Sequence, residues 1–98
     1  MTIINDNNFK NEISSGKVLV DFYADWCGPC RMLAPVLEEA SKTINIQIKK
    51  VNVDESEKTA MEYGVMTIPT LILFENGNEI KRNTGYLNLE QLIEFINN

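Results

Sequence analysis

Histidine is absent from this 98-residue chain. That removes Ser–His and Cys–His nucleophile pairs, along with every zinc site that needs imidazole. Cysteine is scarce: Cys27 and Cys30 are the only two, so one chain cannot build a four-cysteine zinc site. Long apolar runs are missing too. The best candidate, Leu71–Phe74, is four residues long, where a membrane-spanning helix needs about 20. Basic runs stop at Lys49–Lys50, and a formal charge of −5 puts the sequence pI near 4.6, so nucleic acid is not expected as a direct ligand. Met1–Phe9 has neither a basic segment nor a long apolar core of the kind signal peptides carry. The chain is expected to stay where it is made, in the cytoplasm.

What is present is an ordinary globular composition, 44% apolar and 23% charged, which argues for one folded domain over residues 1–98. No repeat or linker divides it. Thr2–Ile4 is expected as a short first strand. Asp6 is placed to cap a helix carrying Phe9 and Ile13, with Gly16 at its exit. Val18–Tyr23 is almost continuously apolar, the pattern of a strand covered on both faces. The spacing of Met32, Leu33, Val36, Leu37 and Ala40 predicts a helix from about Pro29 to Thr43, kinked at Pro35. Ile46–Val53 alternates as a strand, but its apolar parity slips between Ile48 and Val51. Glu57–Tyr63 reads as a helix closed by Gly64. Thr70–Phe74 and Glu79–Thr84 read as a hairpin about Asn76-Gly77. Asn88 then caps a last helix with Leu89, Leu92, Ile93 and Ile96 on one stripe. The order implies an α/β fold: parallel strands joined by crossovers, helices on both faces, and an antiparallel hairpin at one edge.

Cys27 and Cys30 bracket Gly28-Pro29 where a strand hands over to a helix. Half of a metal site is one reading, although only carboxylates or a second chain could complete it. A purely structural bridge is another, but closing so short a loop contributes only about 2 kcal/mol. Two unrelated thiols are a third. The fourth, a reversible dithiol/disulfide, has a physical reason behind it. The first N–H groups of a helix are unpaired and lie at the positive end of its dipole. Cys27, at the mouth of the turn, then has its thiolate favoured. Lowering its pKa by about 1.5 units requires roughly 2 kcal/mol, within reach of such a site. Cys30, one turn further in, is close enough to bond Cys27 and is expected to be shielded from solvent. The outer sulfur attacks and the inner one resolves.

The stretch Val18-Leu19-Val20-Asp21-Phe22-Tyr23-Ala24-Asp25-Trp26-Cys27-Gly28-Pro29-Cys30 resembles the active-site segment of the thioredoxin family. Tyr63-Gly64-Val65-Met66-Thr67-Ile68-Pro69-Thr70 resembles that family's proline loop, and Asn76-Gly77 and Gly85 fall where its hairpin and late glycine fall. The similarity covers essentially the whole chain. It implies a thioredoxin-like fold, a five-stranded mixed β-sheet flanked by four α-helices. It also implies protein-disulfide reductase activity, with disulfide-containing proteins as clients and a thioredoxin reductase to recharge the dithiol. Thioredoxins are themselves the standing example of a lowered cysteine pKa and a reducing potential, so both properties come with the resemblance and not from the spacing. Gly28 and Pro29 between the cysteines, with no histidine, point to the reducing end of the fold's range. No metal or other cofactor is expected, and the chain is expected to act as a monomer away from membranes. Two other classes stay open: a binding or assembly module whose thiols are incidental, and an oxidoreductase dedicated to one client.

The sequence departs from the family at Tyr23, where tryptophan is common, at Arg31, where lysine is common, and at Thr67, where glycine or serine is usual. Thr67 lies beside the expected peptide groove and is expected to alter target preference. Asp21 is either an edge-strand carboxylate facing water or a buried acid with a raised pKa. The resemblance makes it the base that takes the Cys30 proton through water. Lys50 is either a snorkelling surface lysine or, by resemblance, a cation that approaches and tunes Asp21. An Ile68–Pro69 bond is trans by default, whereas the resemblance implies cis. A cis bond exposes the Ile68 backbone beside Cys27, where a client strand can pair with it. Trp26 is either a core aromatic or a flat lid that touches the client. Gly85 is either a turn residue or, with Thr84 and Tyr86, part of the apolar rim.

Overall fold

The computed structural model describes all 98 residues. Its elements follow in the order β1 (Thr2–Ile4), α1 (Phe9–Glu12), β2 (Lys17–Tyr23), α2 (Gly28–Ser41), β3 (Gln47–Asn52), α3 (Glu57–Glu62), β4 (Thr70–Glu75), β5 (Asn78–Thr84) and α4 (Leu89–Asn97). The strands form one sheet in the order β1-β3-β2-β4-β5. β1 and β2 run parallel to β3, while β4 is antiparallel to β2 and β5 to β4. This is the five-stranded mixed sheet with four helices that the resemblance implied.

β2 is the middle strand, and its apolar run reflects cover on both faces. Val18, Val20 and Phe22 join Phe9, Ile13, Val51, Ile72 and Phe74 in one core, with Tyr63 and Val65 packed against it. Leu19 turns the other way, into a core with Leu33 and Leu37 of α2, Leu71 and Leu73 of β4, and Leu92 and Ile96 of α4. The parity slip in β3 has the same origin. Ile48 belongs to the α2/α4 core and Val51 to the α1 core, so the two face opposite layers and both are covered. Phe9 locks the α1 layer: its ring centroid lies 5.3 Å from that of Tyr63 and 5.7 Å from that of Phe74.

Some local expectations shift. α1 is a single turn, and Asp6 does not cap it; Asn8 stands at that cap, but its Oδ1 accepts the Asn5 N–H at 2.8 Å and no N–H of the helix. Asp6 Oδ1 instead accepts the backbone N–H of Thr59 at 2.8 Å and its hydroxyl at 2.6 Å, in the first turn of α3. It caps a helix, but a distant one, which local spacing cannot reveal. α2 begins at Gly28 and ends at Ser41, earlier at both ends than expected, because Cys27 takes the N-cap place; Pro35 lies inside the helix without ending it. The Asn76-Gly77 turn has positive φ at both residues, 51° and 86°, as a type I′ hairpin turn requires. Past that turn the ladder slips between Leu73 and Phe74, leaving Ile80 unopposed on β5. Asn88 and Gln91 form a reciprocal capping box at the start of α4.

The bonds from Thr59, side chain first, hold the Asp6 carboxyl below its ordinary range. A depressed folded pKa contributes stability above the unfolded pKa, and that contribution is lost as pH falls through the folded value. Asp6→Ala should therefore lower the Tm at pH 7, with the gap to the parent narrowing below about pH 4. Thermal melts that coincide at pH 7 would show that this cap contributes nothing.

Candidate active site

Cys27 ends the turn after β2 with extended backbone (φ −86°, ψ 113°) and is the N-cap of α2. Gly28 and Pro29 open the helix, where a missing proline N–H costs no intrahelical bond. The Cys27 Sγ accepts the backbone N–H of Cys30 at 3.2 Å. A sulfur thus stands where a serine or aspartate oxygen ordinarily caps a helix, and the dipole there favours negative charge on it. Cys27 and Cys30 are joined as a disulfide with Cα atoms 5.2 Å apart, so they are partners and not two unrelated thiols.

Each cysteine is 4% exposed, so the expected contrast between an open Cys27 and a sheltered Cys30 does not exist in the bridged state. Both are packed with Ala24, Tyr23, Val53 and Ile68. The two sulfurs differ in their surroundings instead. Cys27 Sγ holds the helix N–H and lies 3.8 Å from the Ile68 carbonyl oxygen, whereas Cys30 lies within the first helical turn.

The Ile68–Pro69 bond is cis. Around it, the Thr70 hydroxyl donates to the Thr67 carbonyl, and the Gly85 N–H donates to the Pro69 carbonyl at 2.8 Å. The second bond brings Thr84, Gly85 and Tyr86 beside the proline loop. Gly85 has φ 103°, which side chains rarely allow. Ile68 itself enters no backbone hydrogen bond through either its N–H or its carbonyl. Trp26 is no core aromatic: it is 69% exposed, and its Nε1 donates to Asp54 Oδ2 at 2.9 Å. Thr67, Thr84 and Tyr86 are also exposed. A separate groove runs between β5 and α4, past Lys81 and Phe95, and includes none of these residues.

Asp21 lies on the central strand and is 1% exposed, which excludes the edge-strand reading. Neither of its oxygens has a hydrogen-bond partner in the protein, so it is not bonded to either sulfur. Burial pushes its pKa up to about 7, with the Lys50 ammonium pulling the other way. Lys50 is the register partner of Asp21 across β2 and β3 but forms no ion pair with it. Its Nζ sits 4.4 Å from the centroid of the Tyr23 ring.

Sequence reasoning missed Asn52 and Asp54, which shape this surface, and read Arg31 only as a departure from the family. Arg31 Nη1 donates to the Asp25 carbonyl at 2.9 Å and ties the turn before Cys27 to α2. Asn52 Oδ1 accepts the N–H groups of Asp54 and Glu55, which orders the loop presenting Asp54 to Trp26. A polar residue closing a buried strand was the signal available for Asn52. Asp54 gave none, since its partner lies 28 residues away.

The raised Asp21 pKa sets a stability prediction. A carboxyl whose folded pKa exceeds its unfolded value leaves stability intact below the unfolded pKa, about 4, and removes it as pH rises through the folded value. From about 4 to about 7 the loss amounts to something on the order of 4 kcal/mol. Asp21→Ala should therefore be the more stable protein at pH 8 and lose that advantage by pH 4. Denaturant titrations that find the variant equally or less stable at pH 8 would contradict the burial argument.

A family model described as Thioredoxin matches residues 1–98. The chain is 52% identical over 96 residues to a thioredoxin of Chlamydia pneumoniae, covering 97% of this chain and 94% of that one. It is 46% identical over 94 residues to a thioredoxin of Bacillus subtilis (strain 168), covering 94% and 90%. Among solved structures, a mutant thioredoxin from Halobacterium salinarum NRC-1 aligns with a TM-score of 0.89 at 35% identity, covering 97% of this chain and 86% of that chain. Identity at this level over nearly the full length, together with Trp26-Cys27-Gly28-Pro29-Cys30 bridged at the start of a helix, places the chain in the thioredoxin family of protein-disulfide oxidoreductases.

Proposed function

We propose that this chain reduces protein disulfides with Cys27 as nucleophile and Cys30 as resolving thiol. The observation that carries the assignment is the Cys27 sulfur in the N-cap place of α2, accepting the Cys30 N–H. In the reduced protein, the Cys27 thiolate attacks one sulfur of a client disulfide. That bond breaks, Cys27 becomes joined to the client, and the other client sulfur leaves and takes up a proton. Cys30, once deprotonated, attacks the Cys27 sulfur, releases the second client thiolate and leaves the Cys27–Cys30 bridge. Two electrons pass to the client, and a thioredoxin reductase returns two to the bridge.

Asp21 accepts the Cys30 proton in this scheme. A carboxyl with its pKa at about 7 is part-ionised near neutrality, where a general base works best. With no hydrogen bond between Asp21 and either sulfur, the proton crosses through water. Lys50 adjusts Asp21 through its charge. Gly28 and Pro29 tune the pair by starting the helix between the two sulfurs.

Trp26, Thr67, Ile68, Thr84, Gly85 and Tyr86 form the client surface, with Pro69, itself buried, beneath them. The N–H and carbonyl of Ile68, neither paired with other backbone, suit an extended client segment added as a short strand, and main-chain pairing of that kind admits many sequences. We place residues 1–98 as one domain acting as a monomer in the cytoplasm. No helix of the structure is long and apolar enough to cross a membrane.

Insulin reduction with a dithiol donor, followed by turbidity, tests the activity. It should be lost in Cys27→Ser; a Cys27→Ser protein that still precipitates insulin would overturn the assignment. Cys30→Ser should instead accumulate mixed disulfides with clients on Cys27, visible by mass spectrometry. Adducts found only on Cys30 of the Cys27→Ser protein would reverse the two roles.

A further inference from the structure

We infer that Tyr23 is a positioning residue: its ring holds the Lys50 ammonium beside the Asp21 carboxyl but out of bonding contact with it. Asp21 and Tyr23 are two apart on β2 and so share a face of the sheet. Lys50 rises from β3 on that face, opposite Asp21, while Asn52 stands opposite Tyr23. The four-carbon stem of Lys50 thus starts between two possible partners. The nearer in register is an orphaned carboxylate, and the ammonium goes to the other, 4.4 Å from the phenol ring centroid.

The physics of the choice is desolvation. To pair with Asp21, the ammonium would have to enter a place 1% open to solvent and give up its water. Tyr23 and Lys50 are both only half-buried, so over the ring the ammonium keeps part of its hydration and gains the cation–π attraction. From there its field still reaches Asp21, because a medium of low dielectric screens it weakly. The two extremes are both unsuited to proton transfer near neutrality. A direct ion pair would hold Asp21 ionised far below pH 7, and a lysine released to bulk water would leave burial unopposed.

Lys50 is the charge whose field acts on Asp21; Lys81 of β5 rises on the same side of the sheet but lies over the Phe95 ring, 5.2 Å from its centroid. On the same side of the sheet β2 and β4 supply Leu19, Leu71 and Leu73, α2 supplies Leu33 and Leu37, and α4 supplies Leu92 and Ile96. Lys49 looks to the opposite face, where it pairs with Glu12 at 3.2 Å. Next along that face is the Tyr23 phenol, against which both cysteines pack. That phenol is pushed above its ordinary value by burial, then by Asp25, and is neutral over the range that matters.

The inference takes its catalytic meaning from Asp21 as acceptor of the Cys30 proton, but its test does not depend on that reading. In the bridged protein, where the cysteines do not titrate, the Asp21 carboxyl can be followed by carbon-13 NMR. Tyr23→Phe and Tyr23→Trp keep an aromatic face and should leave the Asp21 midpoint where it is. Tyr23→Leu, or Tyr23→Met should the leucine variant not fold, releases the ammonium and should raise the midpoint by roughly half to one pH unit. In a Lys50→Met background, the same Tyr23 substitution should produce no rise. An equal rise in both backgrounds would mean that the ring acts by covering Asp21, and no change, or a fall, in the Lys50 protein would equally overturn the inference. The pH profile of mixed-disulfide resolution separates the two readings: if it stays put while the NMR midpoint moves, Asp21 is not the base, and the role of Tyr23 stands.

Discussion

The N–H groups that open a helix have no partner inside it, and at α2 one of them is met by a sulfur. Everything chemical about this protein depends on that bond. The Cys27 Sγ accepts from Cys30, so the group that a cap would stabilise as a neutral hydroxyl is here one that can carry a full negative charge. Two structural conditions maintain the arrangement. Gly28 and Pro29 start the helix at once after Cys27, with no intervening residue to take over the cap. And β2, which delivers Cys27, is the middle strand of the sheet, fixed by β3 on one side and β4 on the other.

The same central strand carries an expense. Asp21 sits among leucines with no hydrogen bond to either oxygen, a placement that folding alone would not favour. A group so costly to ionise readily takes up a proton, and a carboxyl with its pKa at about 7 is suited to receive one near neutrality. The Lys50–Tyr23 contact fits the same logic, since it keeps a counter-charge near without quenching the acid. Stability given up at one buried carboxyl is offset by two apolar cores, one on each face of the sheet.

Much of the fold was legible because burial leaves a period behind. Val18–Tyr23 read as a doubly covered strand, Asn76-Gly77 as a tight hairpin and Asn88 as a cap, and each is found so. What failed to read was non-local. Asp6 was assigned to the helix that follows it, whereas it serves α3, to which only the folded chain brings it. The slip at Ile48 and Val51 looked like a broken pattern until the second covered face was in view. At the site, the cysteine spacing and the cis Ile68–Pro69 bond came through, the latter by family resemblance alone. The anchoring of Trp26 by Asp54 and the seat of the Lys50 ammonium on Tyr23 did not, because each joins residues far apart in sequence. Solvent exposure does not follow from the spacing: both cysteines are equally buried, and their difference lies in what surrounds each sulfur.

The helix start should make the Cys27 thiol acidic and leave that of Cys30 ordinary. The most direct measurement is the rate of iodoacetamide alkylation of each cysteine in the reduced protein as a function of pH, resolved by peptide mass spectrometry. Cys27 should react first, with a midpoint clearly below the value of about 8.5 for free cysteine, while Cys30 lags. Two thiols reacting at the same rate, each with a midpoint near that of free cysteine, would contradict it.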